Sequence, residues 1–137
     1  MQAALRVRRA RRGDFARVQA LLGAPAAASR ADRKRFRRLV GTMREDLYLA
    51  EHEDDAALAG LAVIVYVRGL GPATAIVRTL RGTPAARELL LDSARRRAVA
   101  RGCTQLEIQC DAASASDGER APGWSAGPRV FRRAVSA

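Results

Sequence analysis

The feature that most restricts the fold is a strand, a helix and a second strand met in unbroken succession between Ala73 and Cys110. "ATAIVRTL", Ala73–Leu80, is rich in β-branched residues and reads as a strand. A helix pattern follows from Pro84 to about Arg101. Thr83 is placed to cap it, and Pro84 suits a first helical position, where no N–H is needed. Ala86, Leu90, Ala94 and Ala98 recur at four-residue steps, with Leu89 and Leu91 widening the apolar stripe. Gly102 ends the pattern, and "CTQLEIQC", Cys103–Cys110, returns as a strand. Arg95, Arg96, Arg97 and Arg101 occupy the last turns, where the helix dipole favours cations, and Asp92 can pair with Arg96. Arg87 is not explained this way. With Arg81 it brackets the positive end of the helix. Either both are solvated charges, or an anion sits between them.

The remaining elements read as follows. "ALRVRRA" alternates Leu5 and Val7 as a first strand. "GDFARVQALLG" carries Phe15, Val18, Leu21 and Leu22 at helical spacing, and "APAAAS" is a loop. Residues 31 to 44 form a very basic helix with Phe36, Leu39, Val40 and Met43 as its stripe. "DLYLAEHEDDAALAGLAVIVYVRG" is a hairpin turning at "EHEDD". Toward the end, "DAASASDGERA" reads as a short helix and "SAGPRVFRRAV" as a sixth strand. The order is β-α-α-β-β-β-α-β-α-β, an α/β chain with a single domain over residues 4–137.

Composition narrows the function. The 137 residues carry 25 basic and 14 acidic side chains, a net charge of +11. Such a charge draws nucleic acid, anionic lipid and phosphorylated ligands. Yet Lys34 is the one lysine, every other basic residue is arginine, and alanine is abundant. That bias follows GC-rich coding, so nucleic acid is not expected as a partner; aromatics, at 4%, are too few for base-stacking platforms. No apolar run reaches a membrane span and no secretory segment follows the basic N-terminus, so a soluble, cytoplasmic protein is expected. One histidine and two cysteines fit no metal framework, so no metal is expected. Cys103 and Cys110 lie at opposite ends of one strand, too far apart for a disulfide.

In its element order, from about Leu5 to Ala134, the chain resembles the GNAT superfamily of acyl-CoA-dependent N-acyltransferases. That family places Arg or Gln, two residues, Gly, one residue, and Gly or Ala at the start of the long helix, followed by a leucine pair. The nearest match is "RGTPAARELL", with Arg81 first, Pro84 in place of the central Gly, Ala86 as the last small residue, then Leu89 and Leu90. The resemblance implies a three-layer fold with a mixed, mostly antiparallel sheet of six to seven strands flanked by about four helices. It implies acetyl-CoA, or another acyl-CoA, as co-substrate, a primary amine on a small molecule or protein as acceptor, and compatibility with a homodimer. It also implies a pyrophosphate-binding turn formed by Leu80, Arg81, Gly82, Thr83, Ala85, Ala86 and Arg87, where helix N–H groups meet the anion. Three departures accompany it. Leu80 leads straight into Arg81, a shorter link than the family usually shows. Pro84 has no N–H to offer. The tyrosine that many members use as general acid is absent, because Gly118 and Glu119 stand at about its place before Gly123-Trp124.

No catalytic residue is assigned. Glu51 and His52 are the candidates for a base, with a polar hairpin role as the alternative for each. Tyr48 and Tyr66 are open between core and cleft. Glu119 replaces the missing tyrosine only if burial raises its pKa. Two alternatives to an enzyme stand: a non-catalytic acyl-CoA-binding or regulatory module of the same fold, and a basic nucleic-acid-binding protein.

Overall fold

The computed structural model describes residues 3–23 and 29–109. The elements are β1 (Leu5–Arg9), a 3-10 turn (Arg12–Asp14), α1 (Phe15–Leu21), α2 (Arg30–Gly41), β2 (Glu45–His52), β3 (Leu58–Val67), β4 (Thr74–Gly82), α3 (Pro84–Ala100) and β5 (Gln105–Ile108). They form one sheet in the order β1-β2-β3-β4-β5. The first four strands are antiparallel neighbours, and β5 runs parallel to β4 with α3 as the crossover.

Two cores sandwich the sheet. On one face Ala50, Ile64, Tyr66, Val77 and Leu80 meet Ala86, Leu90, Ala94 and Ala98 of α3. On the other, Leu47, Leu49 and Leu61 meet Val18 of α1 and Phe36 of α2. The four-residue stripe read from the sequence is the buried face of α3. Alanine at three of its four positions lets the helix lie close to β3. A Cβ on Gly60 would stand 2.7 Å from the Arg81 carbonyl oxygen and 2.9 Å from the Ala86 Cβ, so only glycine fits there.

Several boundaries move. The first helical segment opens as a 3-10 turn at Arg12 and ends at Leu21, leaving Leu22 exposed. The basic helix begins at Arg30, where Ser29 and Asp32 form a reciprocal capping box, and stops at Gly41. Met43 therefore lies past the helix and is 79% exposed rather than part of its stripe. The structure describes five strands and three α-helices; most of the "APAAAS" loop, the short helix expected at "DAASASDGERA" and the sixth strand at "SAGPRVFRRAV" lie outside the described residues.

Candidate functional site

β4 carries a bulge at Arg78. Val63 of β3 faces Thr79, while the next residue, Ile64, faces Val77, so Arg78 is the extra residue. The insertion resets the alternation of the strand. Val77 and Leu80, three positions apart, both bury their side chains against α3. The bulge also sits where the described parallel ladder ends. Val77 pairs with Ile108, and its carbonyl accepts from the Gln109 N–H at 2.9 Å, one residue before the bulge. A bulged strand bends and twists away from its former line.

Four residues after the bulge, β4 turns into α3. Gly82 has φ +124°, open in practice only to glycine, and a Cβ there would lie 2.3 Å from the Ala59 carbonyl oxygen. The Thr83 N–H donates to that same oxygen at 3.1 Å, and the Thr83 hydroxyl accepts from the Ala86 N–H at 3.2 Å, the cap expected from the sequence. The Arg87 N–H donates to the Thr83 carbonyl at 2.9 Å, as in any first helical turn. Pro84 has no N–H, so of the first-turn amides only that of Ala85 is left to a ligand. Thr83, Pro84 and Ala85 are exposed, and no side chain of theirs is large enough to close the helix mouth.

The two arginines are placed differently. The Arg87 guanidinium folds back along the helix, and Nη1 donates to the Gly82 carbonyl at 2.9 Å. Arg81 is the register partner of Leu61, whose side chain belongs to the core under α1 and α2. Directly opposed residues share a face, so Arg81 approaches the turn from the other side of the sheet. Leu80 is fully buried and holds the strand end against α3, and Ala86 packs on Gly60.

No protein-family model matches the sequence, and no curated protein matches it. Solved structures do. The chain superposes with a TM-score of 0.80 on a transcriptional regulator from Bacillus halodurans, at 18% identity over 96% of this chain and 100% of that one. It is similar to an acetyltransferase of Trypanosoma brucei, with a TM-score of 0.78 and 17% identity over 96% and 100%. It is also similar to the aminoglycoside N-acetyltransferase AAC(6′)-Iy in complex with CoA, with a TM-score of 0.77 and 13% identity over 100% and 98%. The chain has the GNAT fold.

Within this GNAT fold, Glu51 is a structural anion. It is 1% exposed and held by Arg6 at 2.8 Å, Arg8 at 3.0 Å and Arg17 at 3.3 Å. Arg8 and Arg17 also reach Asp14, at 2.8 and 3.2 Å, and the Arg11 N–H donates to Asp14 at 2.7 Å. Hydrogen bonds from Arg8 hold both carboxyls at about pKa 2, outweighing the opposing effect of burial. A carboxylate so well paired is a poor proton acceptor near neutrality. His52, the other candidate, lies half-buried at the end of β2 with Nδ1 enclosed and without a hydrogen-bond partner.

The tyrosines resolve toward the core. The Tyr66 hydroxyl donates to Asp46 Oδ2 at 2.6 Å, and burial pushes its pKa far up. Asp46 is fully buried and also meets Arg9 at 3.0 Å and Arg97 at 3.4 Å. Arg101 stacks over the Tyr66 ring at 4.1 Å. Burial likewise raises the pKa of half-buried Tyr48. Cys103 is a half-buried free thiol, whereas Cys110, Gly118, Glu119, Gly123 and Trp124 lie outside the described residues. Among the described residues, no three His, Cys, Asp or Glu side chains gather to hold a metal, and no helix is long and apolar enough to cross a membrane.

Sequence reading missed Arg78 as the bulge and Gly60 as the seat of α3. An isolated glycine inside the β-branched run "LAGLAVIVYV" was the available signal for the second. For the first there was none, since a bulge residue needs no special side chain.

Proposed function

We propose that this protein is an N-acyltransferase that transfers an acetyl group from acetyl-CoA to a primary amine. The observation that carries the reading is the bulge at Arg78 followed by the open, Thr83-capped mouth of α3, set within the GNAT fold. The residues present fit a diphosphate. The Ala85 N–H, the Thr83 hydroxyl hydrogen and the Arg87 guanidinium converge on a small-residue surface at the positive end of a 17-residue helix. Leu80, Gly82 and Ala86 let the backbone approach the ligand, and Arg81 adds positive charge from the opposite face.

Acetyl-CoA supplies the activated carbonyl and a thiolate leaving group. The chain's contribution is positional. The turn anchors the diphosphate, and the bend in β4 opens a path beside the strand toward Val77–Thr79. A main-chain N–H beside the bulge would be the group to donate to the thioester oxygen as negative charge develops on it. The acceptor amine attacks as the free base, its proton passing to water rather than to Glu51, whose carboxylate is already committed to three guanidinium groups.

Release of free thiol from acetyl-CoA in the presence of a panel of primary amines tests this reading. Amine-dependent release above the protein-free rate supports it; neither release nor binding at millimolar acetyl-CoA refutes it. The missing donor at Pro84 and the locked carboxylate of Glu51 favour one further reading, an acyl-CoA-binding module without turnover. Saturable binding with no release for any amine would establish that instead.

A further inference from the structure

Among the described residues, a pronounced charge asymmetry lies on α2, away from the α3 mouth. Arg30, Arg33, Lys34, Arg35, Arg37 and Arg38 fall within its 12 residues, against the single acid Asp32. All six cations are exposed. At 100° per residue they sweep about 200° of the helix circumference, and the rest of the circumference holds Phe36, Leu39 and Val40 against the sheet. Asp32 is engaged by Ser29 and Arg35, and Arg33 lies 5.3 Å over the Phe15 ring. Arg30, Lys34, Arg37 and Arg38 have no acidic partner among the described residues. On α3, by contrast, Arg95 and Arg96 are both paired with Asp92. Composition alone scatters arginine, whereas here the fold leaves one surface of it unbalanced.

Arg30, Ala31, Arg33, Lys34 and Arg37 border one open depression on α2. Its cations follow the spacing i, i+3, i+4 and i+7, a row about 10 Å long. Three classes of polyanion compete for such a row. Anionic lipid attracts a basic helix by charge, but firm seating adds apolar insertion, and an acidic protein uses an aromatic or aliphatic anchor; the exposed arc of α2 offers Ala31 alone. Single-stranded nucleic acid needs aromatic platforms, and α2 has none exposed. The phosphate backbone of a duplex needs only forked cations in a row.

We infer that α2 is a docking surface for the phosphate backbone of double-stranded nucleic acid, bound without regard to base sequence. It is independent of the acyltransferase reading, and either stands if the other fails.

The test is anisotropy of a labelled DNA duplex with the full chain, titrated from about 50 to about 200 mM salt. Each phosphate neutralised adds about 0.9 to the salt slope, so four cations make affinity fall about 150-fold across that range. In the double variant Arg30→Gln/Arg37→Gln the fall should shrink to about 12-fold. Arg95→Gln/Arg96→Gln removes equal charge from α3 and should keep the wild-type slope. Arg30 and Arg37 hold no ion pair among the described residues, so circular dichroism and melting should be unchanged. Equal losses in the two variants would assign binding to net charge and overturn the inference. So would the absence of binding at the low-salt limit, or equal affinity for polyglutamate or for anionic vesicles.

Discussion

Replacing Glu51 by glutamine keeps the shape of the side chain and removes its charge. Three guanidinium groups would then face one another with Asp14 alone to offset them. Removing one partner of a buried pair costs about 3–5 kcal/mol. Arg6 is 54% exposed and Arg17 36%, so water screens part of the repulsion and the lower end, about 3 kcal/mol, applies. For a chain of this size that is a drop of about 10 °C in melting midpoint. The pH dependence carries the sharper signature. The Glu51 carboxyl has pKa about 2 in the folded protein against 4.5 unperturbed. Its stabilisation is complete above about pH 4.5 and fades as pH falls toward 2, because the unfolded chain takes up the proton first. Asp14, lowered from 3.8 to about 2, follows the same sign. Urea unfolding of wild type and Glu51→Gln should therefore show a gap of about 3 kcal/mol near pH 7 that narrows steadily below about pH 4.5. A gap under about 1 kcal/mol at neutral pH, or one of constant size down to about pH 3, would refute the network as a source of stability.

Two further substitutions probe the frame around the site. Gly60→Ala forces a methyl within 2.7 Å of the Arg81 carbonyl and 2.9 Å of Ala86, and should lower unfolding free energy by about 1–3 kcal/mol while displacing the start of α3; an unchanged melting curve would show that α3 is not seated there. Tyr66→Phe leaves the buried Asp46 without its shortest donor and should cost about 1.5–3 kcal/mol in denaturant unfolding, and a neutral result would mean that Arg9, Arg97 and Arg101 satisfy Asp46 without it.

The parts of the fold legible in the sequence were those written in local periodicity. The stripe of α3, its Thr83 cap, the hairpin and the element order as far as β5 all follow from spacing that repeats within a few residues. What escaped depended on partners distant in sequence. Glu51 reads as a polar hairpin residue until Arg6, Arg8 and Arg17 arrive from β1 and α1, and only their convergence drives its carboxyl so low. The face of Arg81 depends on pairing with Leu61 and on the bulge at Arg78, neither of which has a sequence signal. Tyr66 became a core residue because β2 brings Asp46 to its hydroxyl. The basic helix and its apolar stripe at Phe36, Leu39 and Val40 were legible in the sequence; that Arg30, Lys34, Arg37 and Arg38 meet no acid among the described residues was not.

The amide resonances of the β4–α3 turn offer the most direct test of the proposed anion site. In a ¹⁵N-labelled sample titrated with coenzyme A, the largest shifts should fall on Gly82, Thr83, Ala85, Ala86 and Arg87, with smaller ones along β4 at Val77–Thr79. Shifts centred on another surface, or none at millimolar ligand, would contradict the assignment of the α3 mouth as the diphosphate site.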